Sequence, residues 1–554
     1  MNYLLEISIG PVQDFISAAR RTRDLWFGSM LLSELAKAVA LKVKEEHGEL
    51  IFPAPSNNDE LKPNSDLSVA NIILAEFKDI DSEKLEAVSN NAYKAAKARL
   101  KEYADKVFEI MQDFIVKDRY YAQIDDVIEF YSAWVPINND YHSARKNVAR
   151  LLAARKNIRD FQQSAFPDNV PKSSLDGLRE SVLIRNEKES ELSKLPNGVK
   201  IKPNEALDAI GLIKRVPTGN DQRFKSLSRV AFNTWERGKG RVIIQDPYFQ
   251  KQYQKLLSED DLNSETISNF LGNDFLGKYM PDAPYIAFIC ADGDKMGAAL
   301  STMKSADEHR EFSRNLSSFA GEAEKVINEY NGSCIYTGGD DVMAFLPLDK
   351  ALPCARELHD LFGKIMGQYG ASLSVGVSIA HSMENLAQLL QYGRDTESIA
   401  KKGINNSALK ECKDRNGLAI SIRSRGNIPF TVREQWRTQS EGEELFAMSL
   451  DERIARFAEY FKNNEIPTKF PYELRENAKF YRNWSDAELL KNAVISDVIR
   501  VFNRKDVTLT PDEKEMTIEY IKLKVFDAKT ICALADELIL AQWIGAALKQ
   551  AESN

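Results

Sequence analysis

Residues 334–348 read CIYTGGDDVMAFLPL. Two apolar runs flank a tip of Gly338, Gly339, Asp340 and Asp341, and the pattern predicts a β-hairpin. An Asn-Gly or Asp-Gly pair alone would satisfy the turn. A second acid beside the first adds like-charge repulsion, and a divalent cation is the natural partner that offsets it. The hairpin therefore raises two questions at once: which fold carries it, and which other acids meet it.

Working outward, YIAFICAD (285–292) has the unbroken apolar character of a strand buried on both faces. Residues 295–330 read as helix, 333–348 as the hairpin, 349–369 as helix, SLSVGVSIAH (372–381) as strand and 384–403 as helix, with GLAISI (417–422) as one more strand. The order β-α-β-β-α-β is that of a ferredoxin-like, or palm, fold. The first 160 residues repeat it: LLEISI, a helical region at 12–47, ELIFP, VANIILAEF, a helix at 83–117 and IEFYSAWVPI, then a helix at 138–161. The expected class is α+β, with two ferredoxin-like domains. The expected divisions are 1–161 for the first palm, 162–283 for a mainly helical insert, 284–430 for the GGDD palm and 431–554 for a helical C-terminal domain.

In such a fold the first strand lies beside the hairpin. The strand ends in CADGDKMG, so Asp292 and Asp294 should approach Asp340 and Asp341. Hard oxygen donors at this density suit Mg²⁺ or Mn²⁺, and two such ions can activate a hydroxyl and hold a nucleotide triphosphate. The carbonyl of Gly293 is a further candidate ligand. Gly338 and Gly339 leave room for a nucleotide to approach the backbone. Lys401, with Lys402 second, closes a helix near this edge and offers a point charge for the β- and γ-phosphates. GGDD alone would pass for a solvated turn; ADGD at the matching strand end makes it a site. His359-Asp360 lies mid-helix with no companion histidine and reads as surface or packing.

The composition narrows the rest. The net charge is −8, so no bulk footprint for nucleic acid exists. Local basic patches lie at Arg20–Arg23, along the helical pattern from Arg145 to Arg159, and at 214–241. The last, with Arg215, Arg223, Lys225 and Arg229 interleaved with Phe224, Phe232 and Trp235, is the expected RNA-backbone surface. Each is equally well read as a solvated helix face. Five cysteines are scattered without a CxxC pair, which argues against disulfide scaffolding or a four-cysteine zinc site and fits a reducing cytoplasm. No secretory leader and no membrane span are read, and no membrane partner is expected.

These motifs resemble those of GGDEF-type nucleotide cyclases: a DxD strand end at Asp292–Asp294, a GG-acid-acid hairpin at Gly338–Asp341, and a late lysine at Lys401 with Gly403 one residue closer than usual. GGDD with two palms, and the opening ISIGPVQDFISAARRTRDLWFGSMLLSEL, resemble the large palm subunit of type III-B (Cmr) CRISPR effector complexes. The resemblance covers nearly the whole chain. It implies a nucleotidyltransferase that works with other protein subunits, a CRISPR guide RNA and a target RNA in antiviral defence. It would join ATP into oligoadenylate, usually cyclic, as a second messenger. Asp292 and Asp340 would be the principal metal ligands, assisted by Asp341 and the Gly293 carbonyl. The first palm, which has no GGDD, would hold the acceptor nucleotide, so that both nucleotides lie between the palms. S-adenosylmethionine as the acceptor, a stand-alone dinucleotide cyclase and a silent scaffold are the alternatives. Many members begin with an HD nuclease domain; here the first-palm signature starts at residue 3, and no DNase activity is expected of this chain. Many carry a cysteine-bound zinc in the insert; the matching region here has no cysteine, so no structural zinc is expected and apolar packing alone should hold the insert.

Overall fold

The computed structural model describes residues 1–138, 140–158, 169–184, 195–196, 198–202, 204–219, 225–238, 240–243, 245–257, 285–402, 415–424, 429–437, 445, 447–484 and 487–552. Near the N-terminus, β1 (Tyr3–Gly10), β2 (Glu49–Phe52), β3 (Ile72–Phe77) and β4 (Glu129–Pro136) form an antiparallel sheet in the order β2-β3-β1-β4. Alternate residues of β1 serve opposite faces. Leu5, Ile7 and Ile9 join a core with the helices Thr22–Glu45 and Ser82–Met111. Leu4 faces the other way, with Ile51, Leu74 and Ala133, onto the helix Tyr141–Asn157. The expected helix at 12–47 is broken at Ala18–Arg21. The cause is local: the Asp24 carboxylate accepts from the N–H groups of Arg20 and Arg21, both at 3.2 Å, and starts a new helix.

The second sheet comprises β5 (Tyr285–Asp294), β6 (Ser333–Gly338), β7 (Asp341–Pro347), β8 (Ser372–His381), β9 (Gly417–Arg423) and β10 (Phe430–Gln435), in the order β10-β9-β8-β5-β7-β6. Four adjacent strands, β8-β5-β7-β6, have the ferredoxin-like order expected. β5 is central: Ala287, Ile289 and Ala291 face one core, and Ile286, Phe288 and Cys290 another. β10 was not expected, since the sequence beyond 430 reads as helix. FTVREQ pairs antiparallel with β9 from Phe430 to Gln435, so the GGDD palm extends past the expected boundary. The C-terminal helices begin at Leu450 and share one continuous core with this palm, in which Val432 and Trp436 pack with Ile454, Leu534 and Leu538.

The insert divides between the two palms. The helix Ala209–Arg215 packs into the first-palm core, whereas Leu227, Val230, Phe232, Trp235 and Tyr253 pack on Ile286, Phe288 and Phe345 of the second. Apolar packing is not alone in holding it. Arg215, buried, pairs with Asp24 at 2.7 Å and Glu205 at 3.0 Å, and Lys214 donates to the carbonyls of Phe15 and Ala18. The palms also meet directly. Arg310, on the helix Ala306–Glu329, donates to the Leu50 carbonyl of β2 at 3.0 Å, and the Tyr141 hydroxyl lies 2.8 Å from His309 Nδ1. Among the described residues one helix, Ala528–Glu552, is long and apolar enough to cross a membrane; here its Leu534, Leu538 and Ala541 lie inside the core.

Candidate functional site

The site begins with strand register. Ala291 of β5 pairs with Val342 of β7, which brings Asp292 beside Asp341. Gly338 pairs with Asp341, leaving Gly339 and Asp340 as a two-residue loop. Gly339 has φ +70°, the left-handed conformation that glycine adopts without strain. Gly293 explains the close approach of strand end and tip: a Cβ there would lie 2.7 Å from Asp340 Cβ and 2.8 Å from its carboxylate.

Three carboxylates thus converge, and their electrostatics show strain. Burial, with Asp292 close by, pushes Asp340 up to about 6, against opposing help from Lys401 and the Gly293 N–H. Asp341 is raised further, by burial, by a hydrogen bond shared with Asp292, and by the charges of Asp292 and Asp340. Lys401 supplies the counter-charge. It ends the helix Leu386–Lys402, contacts Asp292 and pairs with Glu397 at 2.7 Å. Burial works against its charge, but the two carboxylates outweigh it and hold its pKa above the ordinary value. Lys402 is exposed and stands outside this cluster.

Asp294 departs from expectation. It is fully buried and accepts from Ser372 Oγ at 3.0 Å, Ser374 Oγ at 2.7 Å, the Asn416 N–H at 2.8 Å and Arg415 Nη1 at 3.4 Å. With its oxygens committed to these donors, it pins β5 to β8 and to the start of β9 rather than joining the other three acids. A line of contacts unseen in the sequence continues from it. Asn416 Oδ1 lies 3.0 Å from His359 Nε2, and His359 stacks on Trp436 with ring centroids 4.6 Å apart. Arg356 lies over the same Trp436 at 4.5 Å and is paired to Asp451 of the C-terminal helices. His359 is therefore a packing residue with a specific address.

Tyr336 was also missed, although it stands two residues before Gly338 and so shares its face of β6. A Cβ on Gly338 would lie 1.9 Å from the Tyr336 hydroxyl. The same tyrosine lines a cavity of about 290 Å³ between the palms, with Trp26, Met30, Glu34 and Lys37 of the helix Thr22–Glu45, the loop Asn64–Ser68, and Cys334 to Thr337 of β6. Glu34 is already held there by Lys37 at 3.0 Å, by Arg99 and by the Asn64 N–H.

The expected RNA surface at 214–241 is overturned in part. Arg215 is buried and saturated by Asp24 and Glu205, and burial lowers Lys214 to about 8. Arg237 is bound to Asp349 at 2.8 Å. Lys225 is half-buried; Arg229 is exposed and reaches Gln254 at 3.4 Å. Arg223 lies outside the described residues.

Among the described residues, no three His, Cys, Asp or Glu side chains stand as a ready-made metal cage. The chemistry of Asp292, Asp340 and Asp341 nonetheless fits a hard divalent cation. Three half-buried carboxylates share one ammonium and two have raised pKa values, which is the excess of negative charge that such an ion relieves.

Fold and site together define a double-palm protein with a carboxylate cluster in the second palm. Family models match both parts in order: "CRISPR-associated protein Cmr2, N-terminal" over residues 4–128, and "Cas10/Cmr2, second palm domain" over residues 285–410. The CRISPR system Cmr subunit Cmr2 of Pyrococcus furiosus is 24% identical, over 78% of this chain and 63% of that protein, so the chain spans a little under two thirds of this relative. A type III-B Cmr-β structure in the apo state superposes with a TM-score of 0.63 at 14% identity, covering 93% of this chain and 78% of the other. A Cmr-β structure bound to cognate target RNA gives 0.62 at 15% identity, covering 93% and 80%. Residues 4–128 and 285–410 therefore match the Cmr2 N-terminal domain and the Cas10/Cmr2 second palm domain, in the same order along the chain.

Proposed function

We propose that this chain is a nucleotidyltransferase that joins adenylyl groups from ATP into an oligoadenylate messenger, cyclic in its usual form, when its assembly holds a target RNA. The observation that carries this reading is the convergence of Asp292, Asp340 and Asp341, at a strand end and a hairpin tip, on one lysine. In the reaction a 3′-hydroxyl attacks the α-phosphorus of ATP, the new P–O bond forms and pyrophosphate departs. Asp292, Asp340 and Asp341 would hold Mg²⁺ or Mn²⁺, which supplies Lewis-acid stabilisation of the phosphoryl oxygens and of the attacking oxygen. Gly339 leaves the tip free of a side chain where the triphosphate must approach, whereas the space beside Gly338 is taken by Tyr336. Lys401 exchanges its Asp292 partner for phosphate charge. The inter-palm cavity, walled by Tyr336 and the helix Thr22–Glu45, receives the acceptor. The Cmr-β structure of similar fold is bound to cognate target RNA, and we take an RNA-bound assembly as the setting in which this chain acts.

One observation favours a second acceptor. Trp26, Tyr336, Asp66 and Glu324 give the cavity the aromatic and acidic walls that a sulfonium group prefers, as in S-adenosylmethionine. Mass spectrometry of products from the assembled complex, with target RNA, divalent cation and ATP, with and without S-adenosylmethionine, separates the two. Oligoadenylate from ATP alone supports the first, and a product requiring S-adenosylmethionine supports the second. Asp340→Ala with Asp341→Ala should abolish either product and leave assembly intact; product surviving in that variant would move the site elsewhere, and no product from the native complex would make the chain a scaffold.

A further inference from the structure

The structure takes Lys214, Arg215 and Arg237 out of the expected basic surface of the insert and leaves another surface intact. The helix Tyr141–Asn157, YHSARKNVARLLAARKN, carries five Lys or Arg residues and no acid, in a chain whose net charge is −8. Its apolar stripe, Tyr141, Ala144, Val148 and Leu152, is buried on the outer face of the first-palm sheet. That docking fixes which residues face out. Lys146 and Arg150, one helical turn apart, are exposed, and neither has a carboxylate partner among the described residues. Lys156 is exposed on the flank, toward Glu6 of β1, whose charge it shares with Arg145. The neighbouring helices differ: Ala306–Glu329 and Ser82–Met111 mix both signs along their surfaces.

The helix is also a clamp between the palms. Arg145 Nη1 donates to the Leu300 carbonyl at 3.2 Å, and Tyr141 meets His309. Leu300 lies on the short helix Met296–Ser301 that directly follows the strand bearing Asp292. Whatever binds the outward face therefore binds the element that joins the first palm to the segment behind the carboxylates.

We propose that this face, carried by Lys146 and Arg150 with Lys156 at its flank, is a phosphate-backbone contact for single-stranded RNA. The assignment of RNA rests on the reading that RNA activates this chain. Unpaired, one-signed charge at turn spacing complements a polyphosphate strand, whereas protein interfaces are depleted in lysine.

The test uses the full chain and a fluorescein-labelled single-stranded RNA of mixed sequence, with anisotropy read across a salt series. Replacing Lys146, Arg150 and Lys156 by alanine should weaken binding about tenfold or more and reduce the log–log salt slope by about 2, near 0.7 per lost phosphate contact. Lys101→Ala, exposed on the helix Ser82–Met111, should change neither, and arginine in place of Lys146 should retain affinity. The melting temperature of the triple variant should match the native chain, because all three side chains are solvent-facing. Unchanged affinity and slope in the triple variant, or no RNA binding by the native chain, overturns the proposal. Normal RNA binding with lost assembly on size exclusion overturns it in favour of a protein-docking face. The readout needs no nucleotide, so Asp340→Ala must bind RNA as the native chain does. A chain that makes no messenger yet shows the expected slope change sinks only the catalytic reading.

Discussion

Asp341 shares one lysine with two other aspartates, and that crowding of negative charge costs stability unless a cation relieves it. Without a bound cation, Asp341→Asn should raise stability by about 0.5–2 kcal/mol while abolishing product. Thermal melts with and without Mn²⁺ check it: the native chain should gain more from the ion than the variant. A lower melting temperature for the variant would make the carboxylate structural. His309 and Glu6 give the palm interface opposite pH responses. Burial, with Arg145 and Arg310 adding to it, lowers His309 to about 3 from 6.5, so the unfolded chain binds the extra proton between those values and stability falls as pH falls through that window. Burial raises Glu6 to about 7 from 4.5 despite Arg145 and Lys156, so the folded chain holds the extra proton and stability falls as pH rises toward 7. In urea titrations His309→Gln should flatten the acid limb below about pH 4.5, and Glu6→Gln the limb just below 7. A native curve without either limb would refute both. At this scale Asp292, Asp340, Asp341 and Lys401 were legible because turn chemistry and strand ends fix them locally. Asp294 was not, since its partners Ser372, Ser374 and Asn416 lie about 80 to 120 residues away. Arg215 hid its burial in the same way, with Asp24 at 191 residues' remove.

Between residues and the whole molecule, the meeting of β5 and the β6–β7 tip is the element that makes the site. Two glycines near it offer a matched pair of substitutions. A Cβ at Gly293 would lie 2.7 Å from Asp340 Cβ, whereas at Gly297, on the following helix, nothing lies within 4 Å. Gly293→Ala should therefore push the tip from the strand end, cost about 1–3 kcal/mol as an overpacked site does, and reduce turnover sharply. Gly297→Ala should be neutral or stabilise by up to about 1 kcal/mol. Equal effects of the two, in paired melts and product assays, would show that close approach is not what Gly293 provides. Elements of this palm were readable because β5 opens with the unbroken apolar run Tyr285–Ala291 and β8 alternates Leu373, Val375, Val377 and Ile379 with small residues. β10 was not, because Thr431, Arg433 and Gln435 alternate with only a few apolar residues, and the strand gains its identity from β9 rather than from its own composition.

Across the molecule, the C-terminal helices are no separate body. Arg453, buried, binds Glu537 at 3.0 Å and Glu434 of β10 at 2.6 Å, and Glu434 also pairs with Lys524 at 2.7 Å. The Tyr520 hydroxyl donates to Glu537 at 3.0 Å. A buried ion network of this kind gains little over a well-packed apolar alternative, yet losing one partner strands a charge. Arg453→Ala should thus cost about 3–5 kcal/mol. Because the palm and these helices share one core, the loss should appear in both at once. Hydrogen exchange should quicken together in β10, in Leu450–Lys462 and in the middle of Ala528–Glu552, and leave the first palm's β1 unchanged. Arg453→Met combined with Glu537→Gln removes the charge pair but keeps an acceptor for Tyr520 and leaves Glu434 with Lys524. That double variant should recover more than half of the lost stability in urea unfolding. Recovery with faster exchange confined to the helices would instead mean that β10 and the C-terminal helices unfold independently, and that the line from Asp451 through Arg356, Trp436 and His359 to Asp294 does not couple them to the carboxylate site.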